Sequence, residues 1–190
     1  MPLIKILTSI QKKEFEEPPI LNQELKNEIF KLPSELEQVY SFNNSNNQIH
    51  FILMFGYFKI THKFFNPTSY YDEDIKYISF KFKFDDNSYS SDIGHSSLAT
   101  YKNTIKKHFS CVKFTSHIYD ILQKESDLLV KKLLKTQDIF YLLVEKSMEL
   151  RIEVPSYTQI TTIISSSINA QNTLVYKKIR KYENHEALKN

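Results

Sequence analysis

Residues 43–65, NNSNNQIHFILMFGYFKITHKFF, hold the apolar run around which the rest of the chain is arranged. A polar Asn/Ser/Gln tract leads into it. At helical spacing Ile49, Leu53, Gly56, Ile60 and Phe64 form one stripe, and Phe51, Ile52, Phe55 and Phe58 widen it until little surface is left for water. A helix apolar nearly all round is the buried centre of a domain or a membrane span. A span needs roughly 20 apolar residues, and His50, Lys59, His62 and Lys63 interrupt this one. The pattern therefore predicts a buried central helix over about 46–65. A buried strand from Phe51 to Phe58 fits the same periodicity. Gly56 is expected where a neighbour approaches closely.

Ahead of that run, Thr8 and Gln11 fit a capping box for a short helix that ends before Pro18-Pro19. Asn22 is placed to cap a second helix through about Phe30, with Leu25 and Ile29 on one face. After Pro33, Ser34 and Glu37 form another capping box, opening a helix with Leu36, Val39 and Tyr40 inward. Two short helices before a long apolar one are helix-turn-helix-like.

Further on, Asp72, Glu73 and Asp74 suit a helix N-terminus, yet residues 78–84, ISFKFKF, alternate as a half-buried strand does. Residues 85–94 read as a loop. Ser96 or Ser97 is expected to start a helix through Phe109, with Leu98, Tyr101 and Ile105 inward and Lys106, Lys107 and His108 at its basic end. From Thr115 the helical spacing is clearest: Ile118, Ile121, Leu122, Leu129 and Leu133, with Asp127 and Lys131 paired four apart. A further helix is predicted over 137–152, carrying Phe140, Leu143, Val144, Ser147 and Leu150. Pro155 closes it, and Ser156 with Gln159 gives a third capping box. The last helix carries Ile160, Ile163, Ile164 and Ile168, then Leu174, Val175 and Ile179 into a basic run. The expected class is all-α, a multi-helix bundle around the central helix. Its expected organisation is an N-terminal lobe over 1–112, a second lobe over 113–182 and a frayed tail over 183–190. No internal repeat is evident.

Composition narrows the function more than the fold. The chain has 190 residues, 41% hydrophobic and 25% charged, as a globular protein does. Two glycines disfavour hairpins and leave no phosphate-binding loop or dinucleotide fingerprint. One cysteine, Cys111, allows no internal disulfide and points to a reducing compartment, the cytoplasm; no secretory signal is seen at the start. The net charge of +3 comes from 25 basic and 22 acidic residues, so clustering matters more than the total.

Catalytic patterns are weak. His108 and Cys111 lack a second ligand pair for zinc. Asp72–Asp74 and Asp85-Asp86 read as caps and loop acids rather than an acid/base pair. Basic clusters with aromatic or amide neighbours are the better lead. The candidate DNA contacts are Lys106, Lys107, His108, Lys177, Lys178, Arg180 and Lys181, with Lys59 and Lys63. Asn46, Asn47 and Gln48 join them because a helix start can donate hydrogen bonds to phosphate.

Four segments, in order, are similar to the N-terminal region of Tn-three-type replicative transposases. Ile6-Leu7-Thr8 matches an early "lLT". Residues 47–65 align with "NRLGFALQLCYLRYPGRFL". Residues 104–114, TIKKHFSCVKF, look like "EIRRHYGFRPF", and residues 151–160, RIEVPSYTQI, look like "R.I.LPSYTTL". The resemblance spans roughly 6–175. It implies an all-helical module that binds double-stranded DNA at a transposon's terminal inverted repeats. It also implies that the Asp/Asp/Glu magnesium-dependent strand-transfer core lies elsewhere, so no enzyme activity, cofactor or metal is expected in these residues. It favours helix for 78–84. The chain departs from the pattern at 43–48 and 97–101, where family arginines are replaced by uncharged residues. The alternative is a helical module for protein–protein contact or dimerisation without DNA; neither reading involves a membrane.

Overall fold

The computed structural model describes residues 4–34, 36–37, 44–84 and 89–187, with side chains through Lys181. The expected positions Val39, Tyr40, Asn43, Asp85 and Asp86 lie outside them. Among the described residues the chain is all-α. Its helices are α1 (Ser9–Glu16), α2 (Gln23–Ile29), α3 (Ser45–Thr61), α4 (Asp72–Phe82), α5 (His95–His108), α6 (Ser116–Lys131), α7 (Thr136–Glu149) and α8 (Tyr157–Ala187). They form two compact units: Ser9–Lys113 with Arg151–Val154, and Met1–Thr8 with Phe114–Leu150 and Pro155–Asn190.

The first unit is built on α3. Every residue from Gln48 to Phe58 is buried, so this helix has no wet face over three turns. Asn44 caps its start, and His62 ends it in the left-handed region at φ 51°. The helix stops at Thr61, four residues short of the expected end, because the chain turns there: the His62 carbonyl accepts the Val154 N–H at 2.9 Å. α2, α4 and α5 pack on α3. At Gly56 a Cβ would sit 2.4 Å from Phe30 Cδ1 and 3.2 Å from the Ile29 carbonyl; only glycine lets α2 lie this close.

The 78–84 ambiguity resolves as helix through Phe82, with Lys83 closing α4 in the left-handed region at φ 57° and Phe84 past its end. Ile78 and Ser79 are buried on α4, and the Phe82 and Phe84 rings stack at 6.0 Å against the core. Phe80 points outward, 87% exposed. The alternation of apolar residues was a local pattern, overridden by the core that α3 offers to one helical face. Asn22 caps α2 as expected, its side chain accepting from the Leu25 N–H at 2.9 Å. Yet Leu25 is exposed, and Lys26 takes the inward position beside Ile29.

The second unit joins α6, α7 and α8 around Ile118, Leu122, Leu129, Ile139, Phe140, Leu143, Ile160, Ile163 and Ile164, all buried. Thr115 caps α6 through the Ile118 N–H. Ser156 and Gln159 form the reciprocal capping box, the Ser156 N–H donating to Oε1 at 2.9 Å and the Gln159 N–H to Oγ at 3.3 Å. Between α6 and α8 runs a polar seam in which Gln123 Nε2 donates to Ser167 Oγ at 2.7 Å and Ser167 to Ser126 at 2.9 Å.

Three helix-end expectations change. α6 stops at Lys131, so Leu133 sits in a turn at φ 58° and is exposed instead of packed. α7 stops at Glu149, and Ile152, expected as its last residue, is fully buried in a parallel bridge with Val112 within the first unit. On α8 the apolar face ends near Ile168; Leu174, Val175 and Ile179 are exposed.

Candidate nucleic-acid interface

Absence of acid shows where anions would be welcome. No Asp or Glu occurs between Asp92 and Asp120 or between Glu153 and Glu183. A third such gap, between Glu37 and Asp72, is largely α3 and is buried. The other two gaps hold α5 and nearly all of α8, and both helices present surface.

On α8 the residues from Asn172 to Lys181 are all exposed. Lys177, Lys178, Arg180 and Lys181 lie within about half the helix circumference at 100° per residue. Among the described residues no salt bridge ties any of the four. Four cations on one helical arc, with Glu183, three residues beyond Arg180, the first acid after them in the sequence, form a surface that attracts phosphate.

On α5, Tyr101 and Ile105 face the core, Tyr101 meeting Phe51 edge-on at 5.4 Å. Lys107 is exposed. Lys106 is partnered: its Nζ sits 3.1 Å from Glu153 and 5.8 Å from the Phe64 ring centroid, which Lys102 also approaches at 5.4 Å. His108 packs its ring against Phe55 and Phe109. Of the basic end read from sequence, Lys107 alone faces water fully.

The remaining candidates have structural work. Asn46 accepts the Ser90 N–H at 2.9 Å and donates to the Asp92 carbonyl at 3.3 Å, holding the loop before α5. His50 donates Nε2–H to the Ser90 carbonyl at 2.8 Å, so α3 holds that loop twice. Gln48 is buried and Asn47 half-buried. Lys59 donates to the Glu28 carbonyl at 3.2 Å. Lys63 donates to the Phe15 carbonyl and lies over the Phe15 ring. Burial pushes its pKa down to about 8, against the pull of Glu16. An ammonium held this way is a core strut rather than a phosphate contact.

Sequence reasoning missed a buried charge network. Asp74 accepts the Tyr57 hydroxyl at 2.6 Å and pairs with Lys26 at 2.7 Å, with Glu73 3.9 Å from the same ammonium. Burial first, and Asp74 second, push the Tyr57 hydroxyl pKa up. Lys26 and Asp74 lie far apart in sequence, and no local pattern joins them. Cys111 is half-buried, and burial raises its thiol pKa, which disfavours a nucleophilic thiolate. Among the described residues no three His, Cys, Asp or Glu side chains gather around a metal-sized site. Nor is any helix there long and apolar enough to cross a membrane.

A family model described as a domain of unknown function, DUF4158, matches residues 6–167. The chain belongs to this family. The DUF4158 domain occurs in Tn-three-type transposases. The match takes in both units but ends within α8, so α5 lies inside it and the basic run of α8 beyond it. No curated protein and no solved structure matches the chain.

Proposed function

We propose that this DUF4158 chain is a non-catalytic DNA-binding module of a transposase, acting in the cytoplasm on duplex DNA at the terminal inverted repeats of a mobile element. The observation that carries the proposal is the placement of charge. The two exposed acid-free stretches hold α5 and most of α8 and carry Lys107, Lys177, Lys178, Arg180 and Lys181 exposed at the surface, whereas α3 uses its acid-free stretch to build the core. The occurrence of the family in transposases supports the context. Phosphate contacts of this kind release counterions, so log affinity falls linearly with log salt, by about 0.9 per contact. A fluorescence-anisotropy titration on duplex carrying the element's ends should show that slope. Replacing Lys177, Lys178, Arg180 and Lys181 with Gln should flatten it by roughly three to four units. Binding that is indifferent to salt, or no binding, overturns the proposal.

A second reading rests on the same helix. Leu174, Val175, Tyr176 and Ile179 are exposed, which favours self-association through α8. A dimer in small-angle scattering that dissociates on Ile179→Asp and ignores DNA supports this reading over the first.

A further inference from the structure

We propose that α5 is the helix that reads base sequence in the major groove, with Asn103 as the adenine-reading side chain. The inference rests on the DNA-binding reading above and adds to it a site and a specificity. The outward positions of α5 are Ser96, Ala99, Thr100, Asn103 and Lys107. At 100° per residue they fall within about 100° of the circumference, opposite Tyr101 and Ile105. From Ser96 to Lys107 this face runs about 16 Å along the axis. A helix with its side chains, about 10 Å across, enters a major groove about 12 Å wide.

Charge selects the occupant. The face lies in the acid-free stretch between Asp92 and Asp120, with Lys107 on it and Lys102 and Lys106 on its flank against Phe64. Lys106 is neutralised by Glu153, which leaves Lys107 exposed at the helix end for a phosphate.

The polar groups on this face are sorted by their internal bonds. Thr100 donates its hydroxyl to the Ser96 carbonyl at 2.8 Å. That bond fixes its rotamer and leaves the methyl as its outward feature, beside the Ala99 methyl; both suit the C5-methyl of thymine. Asn103 is exposed, and its amide makes no hydrogen bond among the described residues. An outward amide with both its donor and its acceptor open matches the N7 acceptor and N6 donor of adenine. The Tyr101–Phe51 contact and buried Ile105 hold the helix firmly enough for such a bidentate pair. A-T-rich steps are therefore the expected target.

The test is selection of the intact chain on a pool of duplexes with a randomised central tract, followed by salt titration on the enriched sequence. The wild type should enrich a motif with an adenine at one position and an adjacent thymine. Asn103→Ala should lose roughly ten- to hundredfold discrimination at that adenine while binding random duplex within about twofold of wild type. Asn103→Asp, which places an acid on the face without burying anything, should weaken binding to every sequence. Thr100→Ser should abolish the preference for thymine over deoxyuridine. Lys107→Gln should weaken all sequences alike and lower the salt slope by about one. Salt-sensitive binding with no enriched motif, or a motif unchanged by Asn103→Ala, overturns this inference and leaves the DNA-binding proposal standing. Absence of any duplex binding overturns both. Substitutions on this face that alter self-association and leave DNA binding untouched assign the face to protein instead.

Discussion

α3 and α8 are the longest helices among the described residues, and they treat the same residue types in opposite ways. α3 buries eleven consecutive residues, Gln48 to Phe58. α8 buries Ile160, Ile163 and Ile164 in its first half, then carries Leu174, Val175 and Ile179 into the open beside four cations. Isoleucine content alone does not separate core from surface. What separates them is whether other helices supply a face: α2, α4 and α5 pack on α3, while α8, packed on α6 and α7, has its buried residues in its first half. A helix with no packing partner is marginal in water. The exposed half of α8 is therefore the natural place for a partner, and α3 is the natural place for stability.

The largest break in this contrast comes from the charge network under α3. Asp74→Ala leaves the Lys26 ammonium buried without its partner and should cost about 3–5 kcal/mol in urea unfolding. Replacing the pair together, Lys26→Met with Asp74→Leu, should recover most of that loss, since well-packed apolar pairs often equal a buried ion pair.

Within α8 the comparison sharpens along a single helix. Ile163→Ala should cost about 2–5 kcal/mol, as buried isoleucine truncations do. Ile179→Ala should stay within about 0.5 kcal/mol. Equal losses at both positions would show that the far half is packed and that the contrast is false.

Next in size is Gly56→Ala. The new methyl meets Phe30 and the Ile29 carbonyl, and overpacking costs about 1–3 kcal/mol, offset by at most about 1 kcal/mol of improved helix propensity. The expected net result is a lower melting temperature with an unchanged helical circular-dichroism spectrum.

The smallest effect is pH dependence through His50. Burial lowers its pKa from 6.5 in spite of its hydrogen bond to Ser90. As pH falls, the unfolded chain takes up this proton near 6.5 before the folded chain does, so stability declines as pH drops below that value. The groups around the ring, Tyr70 and Tyr89, do not titrate there. Melting temperatures followed from about pH 7 to pH 5 should fall for the wild type and fall less for His50→Gln.

The candidate interface was legible in sequence only as a set of lysines. Lys177, Lys178, Arg180 and Lys181 are exposed on α8, as their place in a basic run past the apolar residues suggests. Lys63 and Lys106 looked equivalent to Lys107, yet Phe15 and Glu153, distant in sequence, hold them. Asn46 read as an open phosphate donor and is instead a clamp on Ser90 and Asp92. Asn103 carried no local signal beyond its place in a stretch without acid.

By itself the sequence marked the helix starts that carry a side-chain cap and the segment that has to be buried. Caps such as Asn22, Thr115 and Ser156 with Gln159 bond to groups two or three residues away, and those bonds form wherever the chain later packs. The apolar circumference of α3 likewise leaves one outcome, burial. Helix ends, the state of 78–84, the burial of Lys26 with Asp74 and the freedom of each lysine were decided by tertiary structure. Those outcomes depend on contacts between residues far apart in the chain, such as Val154 on His62 and Ile152 on Val112. Such contacts leave no periodic mark in the segments that make them.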